Sequence, residues 1–327
     1  MEKELSKQKD LIRVIDFRQS FENLVALNYP RRITVELTNR CNLNCQMCPR
    51  RHMKAAQGFM PYKLFTKIMD EMAEFGDVTL VPFFRGESLL HPHCIEMLAY
   101  AKRKNIGTVQ FTTNATLLNE DVSLALIDLG LDFISFSVDS IDPETYESIR
   151  RGANLKKVLK NIETFCALKK KKNAAKPEIQ VSVVRTDNTR DKIEDFVEFW
   201  RNRVDRVRVY EEHSQDGNFG SLDQGKRLAG RMPCLKPFTD MVVYWDGSVA
   251  LCNHDWDRTD QIGDVNQSTI SEIWLSETYE KIRSAHKGRG QLEDLCQNCD
   301  HWQAHSYSPT QIGDLYVRHS PSQRQAL

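Results

Sequence analysis

The chain has 327 residues, enough for one large domain or a main domain with an appendage, and far too many for a miniprotein. Its 45 Lys and Arg balance 45 Asp and Glu, so no global field favours a polyanion or an anionic membrane, and neither nucleic acid nor membrane is expected as a partner. Mean hydropathy is −0.51, no apolar run approaches the ~20 residues that span a bilayer, and the opening Met-Glu-Lys-Glu-Leu-Ser-Lys lacks a secretory core, which points to the cytoplasm.

In chain order, Val14, Phe17, Phe21, Leu24 and Val25 recur at close to helical spacing, so residues 1–32 read as an N-terminal helical extension. From residue 33, β-rich runs at 33–37, 78–84, 107–113, 132–138, 179–185 and 206–211 alternate with helical stretches at 64–75, 121–129, 155–168 and 191–202. Such alternation predicts right-handed βαβ units and a parallel sheet, whose ligands sit at the carboxyl ends of the strands. There the chain places Cys41, Cys45 and Cys48 after the first strand, Arg85-Gly86-Glu87-Ser88 after the second, Asn114 after the third and Asp139 after the fourth. Arg185 ends the fifth, and Tyr210, Glu211, Glu212 and His213 close the sixth. Thiols and ionisable groups gathered at one end of a sheet form an active-site constellation.

Residues 214–231 are rich in Gly and polar residues and read as a linker, which sets the main domain at 33–213. Beyond it, 241–245 and 248–251 flank Asp246-Gly247 as a β-hairpin, and a helix is expected near 268–285 within a second unit at 232–302. The tail, 303–327, is polar with little apolar periodicity. Residues 150–172 hold nine Lys or Arg against one acid, Glu163, a solvated helix face or a docking patch for an acidic electron carrier.

Nine cysteines, an odd number in a reducing compartment, call for a role other than disulfides. They divide into Cys41-x3-Cys45-x2-Cys48, a second set, Cys234-x17-Cys252-x43-Cys296-x2-Cys299, and the separate Cys94 and Cys166. Three ligands leave a metal position open and four close a site, so the first set suggests chemistry and the second structure or electron transfer. Zinc is the alternative metal for both sets. Cys94, at a helix start, and Cys166, on the apolar side of 155–168, read as small buried hydrophobes, with a hydrogen-atom donor as the other possibility.

The string from Thr34 to Arg50, with its three cysteines directly after a strand, resembles the signature of the radical SAM superfamily. Phe84-Arg85-Gly86-Glu87-Ser88-Leu89-Leu90-His91-Pro92 is similar to that family's Gly-Gly-Glu-Pro segment, with Arg85 for the first Gly and Ser88 for Pro. Thr112 to Leu118 and Ser135 to Ser140 resemble its motifs after the third strand and on the fourth. The resemblance spans residues 33–300 and implies an α/β fold, a partial (β/α)6 barrel. It further implies that Cys41, Cys45 and Cys48 bind three irons of a 4Fe-4S cluster while S-adenosylmethionine (SAM) chelates the fourth. Glu87 would meet the SAM amino group, Ser137 and Asp139 its ribose and carboxylate, and Arg151 the carboxylate, with Asn114 nearby. Reductive cleavage of SAM then yields a 5'-deoxyadenosyl radical.

Cys234-x12-Gly247-x4-Cys252 followed by Cys296-x2-Cys299 looks like the SPASM domain appended to many such enzymes, in its shortened Twitch form, a small α+β unit. This implies a second, auxiliary 4Fe-4S cluster held by Cys234, Cys252, Cys296 and Cys299. Relatives with this truncated domain include dehydrogenases of aminocyclitols and sugars. The implied activity is therefore two-electron oxidation of a secondary alcohol in a small-molecule substrate, with flavodoxin or ferredoxin as reductant. Arg185, Tyr210, Glu211, Glu212 and His213 are the candidates for substrate contact or general base. Alternatives are an epimerase or peptide maturase on the same scaffold and, from another class, a non-catalytic iron-sulfur sensor or electron carrier.

Overall fold

In the computed structural model of the protein, residues 26–212, 233–258, 260–302 and a strand at 315–318 are described. Residues 1–25 of the expected N-terminal helical extension, the linker 214–231, His213 and most of the tail therefore lie outside the described residues. Alternation along strand β1 (Arg32–Val35) sets the architecture: Ile33 and Val35 are fully buried, Arg32 and Thr34 half-buried. Its buried face packs on helices, and its other face lines the inside of a curved wall.

That wall continues in parallel from β1 to β2 (Thr79–Val81). Leu80 bridges to Val109, its N–H donating to the Thr108 carbonyl at 2.8 Å, and this joins β2 to β3 (Gln110–Thr113). Strands β4 (Phe133–Ser137), β5 (Glu178–Arg185) and β6 (Arg206–Glu211) follow, each parallel to the last. The six strands form the partial (β/α)6 barrel, and their observed spans fall within a few residues of the β-rich runs.

Helices α1 (Tyr62–Phe75), α2 (Cys94–Lys104), α3 (Glu120–Asp128), α4 (Pro143–Ile149), α5 (Leu155–Lys171) and α6 (Ile193–Trp200) cover the wall. Leu64, Phe65, Ile68, Met69 and Met72 give α1 its buried stripe, and Leu155, Val158, Ile162 and Phe165 do the same for α5. Asn119, Asp142 and Asn154 cap α3, α4 and α5 by accepting backbone N–H groups from Val122, Thr145 and Lys157. Each cap satisfies a donor that the helix start leaves open. Cys94 is buried in the core and Cys166 packs against it. The Lys run is less solvated than its composition suggests, since Lys169 is buried and pairs with Asp205 at 3.4 Å.

After the short helix α7 (Lys236–Thr239), β7 (Asp240–Val243) runs parallel to β1 on the side away from β2, β8 (Ser248–Ala250) adds antiparallel to β7, and β9 (Gln261–Asp264) antiparallel to β8. The rear hairpin thus extends the barrel's own sheet. Met241, Val243, Ile273, Trp274 and Tyr279 share one core with Ile33, Val35 and Phe65. In the hairpin turn only Gly247 has positive φ, 95°, so the loop closes through one left-handed residue rather than a two-residue Asp-Gly turn.

The helix expected at 268–285 is two helices, α8 (Ile270–Trp274) and α9 (Glu277–His286). Thr269 and Glu272 form a capping box at the first, and Ser276 caps the second, breaking a run that apolar periodicity reads as continuous. Helix α10 (Asp294–Gln297) carries Cys296. In the tail, β10 (Leu315–Arg318) pairs antiparallel with β6, a pairing carried by backbone hydrogen bonds and needing no apolar period.

Candidate functional site

The loop after β1 carries Cys41, Cys45 and Cys48, all half-buried and free of disulfides. Its shape is fixed from outside. Asn44 N–H donates to the Arg151 carbonyl at 3.0 Å and Gln46 N–H to that of Ile149 at 2.7 Å, while the Arg50 guanidinium reaches back to the Leu43 carbonyl at 2.5 Å. Burial pushes all three thiols up, Cys48 to about 11. Thiols so desolvated ionise when a metal balances the charge. Arg150 Nη1 and Asn114 Nδ2 lie 4.0 Å from Cys45 Sγ and Cys41 Sγ respectively, and such donors favour anionic sulfur. This donor set suits an iron-sulfur cluster with one side open.

Glu87 follows β2 and is 2% exposed. Its carboxylate accepts from Thr113 Oγ1 at 2.8 Å, from Asn114 N at 2.8 Å and from Leu89 N at 3.2 Å, which holds it beside the third strand's end. Burial raises its pKa, against the pull of those hydrogen bonds. Gly86 is required by close approach, because a Cβ there would sit 2.2 Å from the Thr38 carbonyl oxygen. Asn114 in turn donates to Asn42 Oδ1 at 3.1 Å, tying the third strand end to the cysteine loop.

Asp139 holds a left-handed backbone, φ 67°, directly beyond β4. Its carboxylate accepts from Arg150 Nε at 2.7 Å and Nη2 at 2.6 Å, and from Val184 N at 2.9 Å. The basic residue at the cluster loop is thus Arg150, buried, whereas the expected Arg151 is exposed and contributes its carbonyl. In the adjacent pair Arg150-Arg151, helix phase at the end of α4 decides which side chain turns inward, and residue type alone does not report it. Ser137 ends β4 half-buried.

Arg85, standing where the family's first Gly stands, makes a contact that motif reading missed. Its Nε and Nη2 each donate at 2.7 Å to the Glu36 carboxylate, both side chains are fully buried, and its Nη1 donates to the Trp256 carbonyl at 2.7 Å. Its guanidinium also lies 4.3 Å from the Tyr244 ring centroid. Glu36, an acid on the Arg32 and Thr34 side of the first strand and yet fully buried, is the residue whose partner the motifs do not report.

At the far side of the barrel mouth, Arg185 Nε donates to Glu211 Oε1 at 3.0 Å, and these residues are register partners in β5 and β6. Tyr210 is half-buried beneath the Arg208 guanidinium, 4.5 Å from its ring centroid. Glu212 is half-buried, and burial, with Asp187 nearby, raises its pKa.

Behind the barrel, Cys234, Cys252, Cys296 and Cys299 line one pocket with Leu251 and Trp302. Burial pushes the Cys252 thiol well up. Among the described residues no three His, Cys, Asp or Glu side chains close around a single ion. These four thiols, in no disulfide, share the pocket lining with Lys236, His254, His286 and His301, a donor set that fits an iron-sulfur cluster held by the cysteines.

Residues 35–200 match the radical SAM superfamily. The chain belongs to the radical SAM superfamily. Residues 234–300 match SPASM, an iron-sulfur cluster-binding domain. Together these make the protein a radical SAM enzyme with SAM and iron-sulfur clusters as its cofactors. A tungsten-containing aldehyde ferredoxin oxidoreductase cofactor-modifying protein from Pyrococcus furiosus is 26% identical over 309 residues, 81% of this chain and 86% of that one. The crystal structure of BtrN in complex with AdoMet and 2-DOIA is similar at a TM-score of 0.56 and 20% identity, covering 83% of this chain and 92% of that one. Streptococcus suis SuiB bound to precursor peptide SuiA is similar at 0.65 and 14%, covering 87% and 72%. These two likenesses concern the fold. Among the described residues no helix is long and apolar enough to cross a membrane.

Proposed function

We propose that this radical SAM enzyme is an oxidoreductase that removes two electrons from a substrate carbon bearing a hydroxyl, a secondary alcohol of an aminocyclitol or sugar. The observation that carries this reading is the presence of two separate thiol sets, three at the barrel mouth and four in a pocket behind it. When bound, SAM and the front cluster supply a hydrogen-abstracting radical, and a rear cluster supplies a sink for the second electron. Cys41, Cys45 and Cys48 would hold the first cluster and Cys234, Cys252, Cys296 and Cys299 the second.

The chain's own groups do the rest. Glu87, fixed by three donors, presents a carboxylate to the SAM ammonium, and the Asp139–Arg150 pair sets a guanidinium for its carboxylate, in the role first given to Arg151. Ser137 lies at the same strand-end level for the ribose. Among the base candidates, Glu211 is neutralised by Arg185, whereas burial makes Glu212 the stronger base. A flavodoxin or ferredoxin would deliver the reducing electron. BtrN, similar in fold over 92% of its length, is solved with AdoMet and 2-DOIA, which supports a reading with SAM and a small-molecule substrate. The likeness to SuiB keeps peptide modification as the second reading.

The test is anaerobic incubation of reduced, reconstituted protein with SAM, scored for 5'-deoxyadenosine, with Cys45→Ala as control. Cleavage by the wild type and none by the variant is expected. No cleavage with intact clusters, or equal cleavage by both proteins, would reject the reading, and iron and sulfide analysis of the same sample separates clusters from zinc.

A further inference from the structure

The cysteine loop and the helical turn after it carry positive charge that the site's chemistry leaves unused. From residue 37 to residue 69 the chain has Arg40, Arg50, Arg51, Lys54, Lys63 and Lys67 and no Asp or Glu. The fold brings Arg151 to them, since its carbonyl accepts from Asn44 N at 3.0 Å and a Cβ on Gly152 would lie 3.5 Å from the Asn42 carbonyl oxygen. Arg40, Arg51, Lys54 and Arg151 are exposed, and among the described residues none of them forms an ion pair. The Arg40 guanidinium lies 4.8 Å from the Phe59 ring centroid and Arg51 Nε donates to His52 Nε2 at 3.0 Å, and neither partner supplies a negative charge. Exposed lysines elsewhere do meet one: Lys104 pairs with Asp70 at 2.7 Å and Lys192 with Asp142 at 2.9 Å. Two exposed acids border the rim, Asp257, which accepts from Lys54 N at 3.2 Å, and Glu147, which accepts from Asn154 Nδ2 and Leu155 N.

Placement gives this charge a use. Arg40 directly precedes Cys41, Arg50 and Arg51 follow Cys48, and Arg151 packs on the stretch between, so a cluster on the three half-buried thiols lies close beneath the rim. Exposed cations beside a redox centre draw in an acidic partner and orient it. Pro49, Met53 and Phe59 are half-buried among the cations and add soft apolar surface, suited to the hydrocarbon edge of a flavin. The lysines that composition singles out, at the far end of α5, are worse placed: the helix starts beside Arg151 and its 17 residues carry Lys170 and Lys171 about 25 Å away.

We propose that this rim is the docking surface for a flavodoxin, whose acidic face meets Arg40, Arg51, Lys54 and Arg151. One electron leaves the reduced flavin for the cluster that Cys41, Cys45 and Cys48 would hold, and no covalent bond forms or breaks. The proposal rests on the front-cluster part of the oxidoreductase reading and assigns that cluster's electron donor a place on the chain.

Anaerobic isothermal titration of the reconstituted protein with oxidised flavodoxin, and stopped-flow reduction of its front cluster by reduced flavodoxin, test it. Binding is expected at low salt and should weaken about tenfold or more between 0.05 and 0.5 M salt, roughly one Debye screening change at this contact. The double variant Arg51→Glu/Lys54→Glu should weaken binding and slow cluster reduction about tenfold or more, with cluster absorption and reduction by dithionite retained. Lys170→Glu/Lys171→Glu, the same change of charge on the far end of α5, should leave both unchanged. No binding at low salt, an unchanged Arg51→Glu/Lys54→Glu variant, equal losses in the two double variants, or rim-dependent binding of a ferredoxin with none of flavodoxin would each overturn the proposal. Neither measurement needs SAM or substrate. Rim-dependent docking by a protein that does not cleave SAM would therefore reject the oxidoreductase reading alone, and dithionite-driven SAM cleavage with docking indifferent to the rim would reject this proposal alone.

Discussion

A methyl group on Gly86 would lie 2.2 Å from the Thr38 carbonyl oxygen and 2.5 Å from that of Arg40. Both are backbone atoms, so relief requires the cysteine loop or the Glu87 segment to move, and Glu87 N–H, which donates to the Arg40 carbonyl at 2.8 Å, moves with it. Gly86→Ala is expected to cost about 1–3 kcal/mol as overpacking, read as a lowered denaturation midpoint, together with weakened SAM binding. An alanine variant with wild-type stability and affinity would show that the close approach is dispensable. Glu212 makes a prediction in pH. Burial raises its pKa above the usual carboxylate range, and a general base works deprotonated, so turnover should rise with pH through that raised value. Glu212→Gln is expected to lower kcat at least about 100-fold and to erase the acid limb. Persistence of the limb in the variant would move the base elsewhere at the barrel mouth.

Among the elements, the Arg85–Glu36 pair joins three at once: the strand leading to the cysteine loop, the Gly86 segment and the rear hairpin, through Trp256 and Tyr244. Removing one partner leaves a buried charge alone, so Arg85→Met and Glu36→Gln are each expected to lose about 3–5 kcal/mol in denaturant melts. The double variant, with no charge left over, should recover a large part of the sum. Strict additivity would mean that the two side chains do not depend on each other. This pair also marks where sequence reading stops. The strand ends that carry Cys41, Glu87, Asn114 and Asp139 were legible because residue type and strand order report them directly. Side-chain partners were not: Arg150 rather than Arg151 turns inward to Asp139 by helix phase, Ser276 splits an apolar run by capping, and Arg85 meets Glu36 from 49 positions away in sequence.

For the whole molecule, an equal count of acids and bases excludes a global field, but only the curved wall shows which charges meet inside it, where strand parity puts Arg32, Arg206 and Arg208 on one face with Glu36, Glu178 and Asp240. The division into a main and a rear unit has the same character. Composition marks a linker at 214–231, but β7 pairs with β1 and the rear helices share the barrel's core, so packing ties what the linker separates. Stability should follow packing. Of the five tryptophans, Trp200 lies in α6, while Trp245, Trp256, Trp274 and Trp302 lie behind the linker, so fluorescence reports chiefly the rear unit. Far-UV circular dichroism reports chiefly the barrel helices, which hold most of the helical residues described. A shared sheet and core predict that the two signals fall at one urea midpoint in a single cooperative step. Two midpoints, with fluorescence lost first, would mean that the hairpin docks on β1 without sharing in its folding, and the Arg85–Glu36 contact would then be a surface of apposition rather than part of one core.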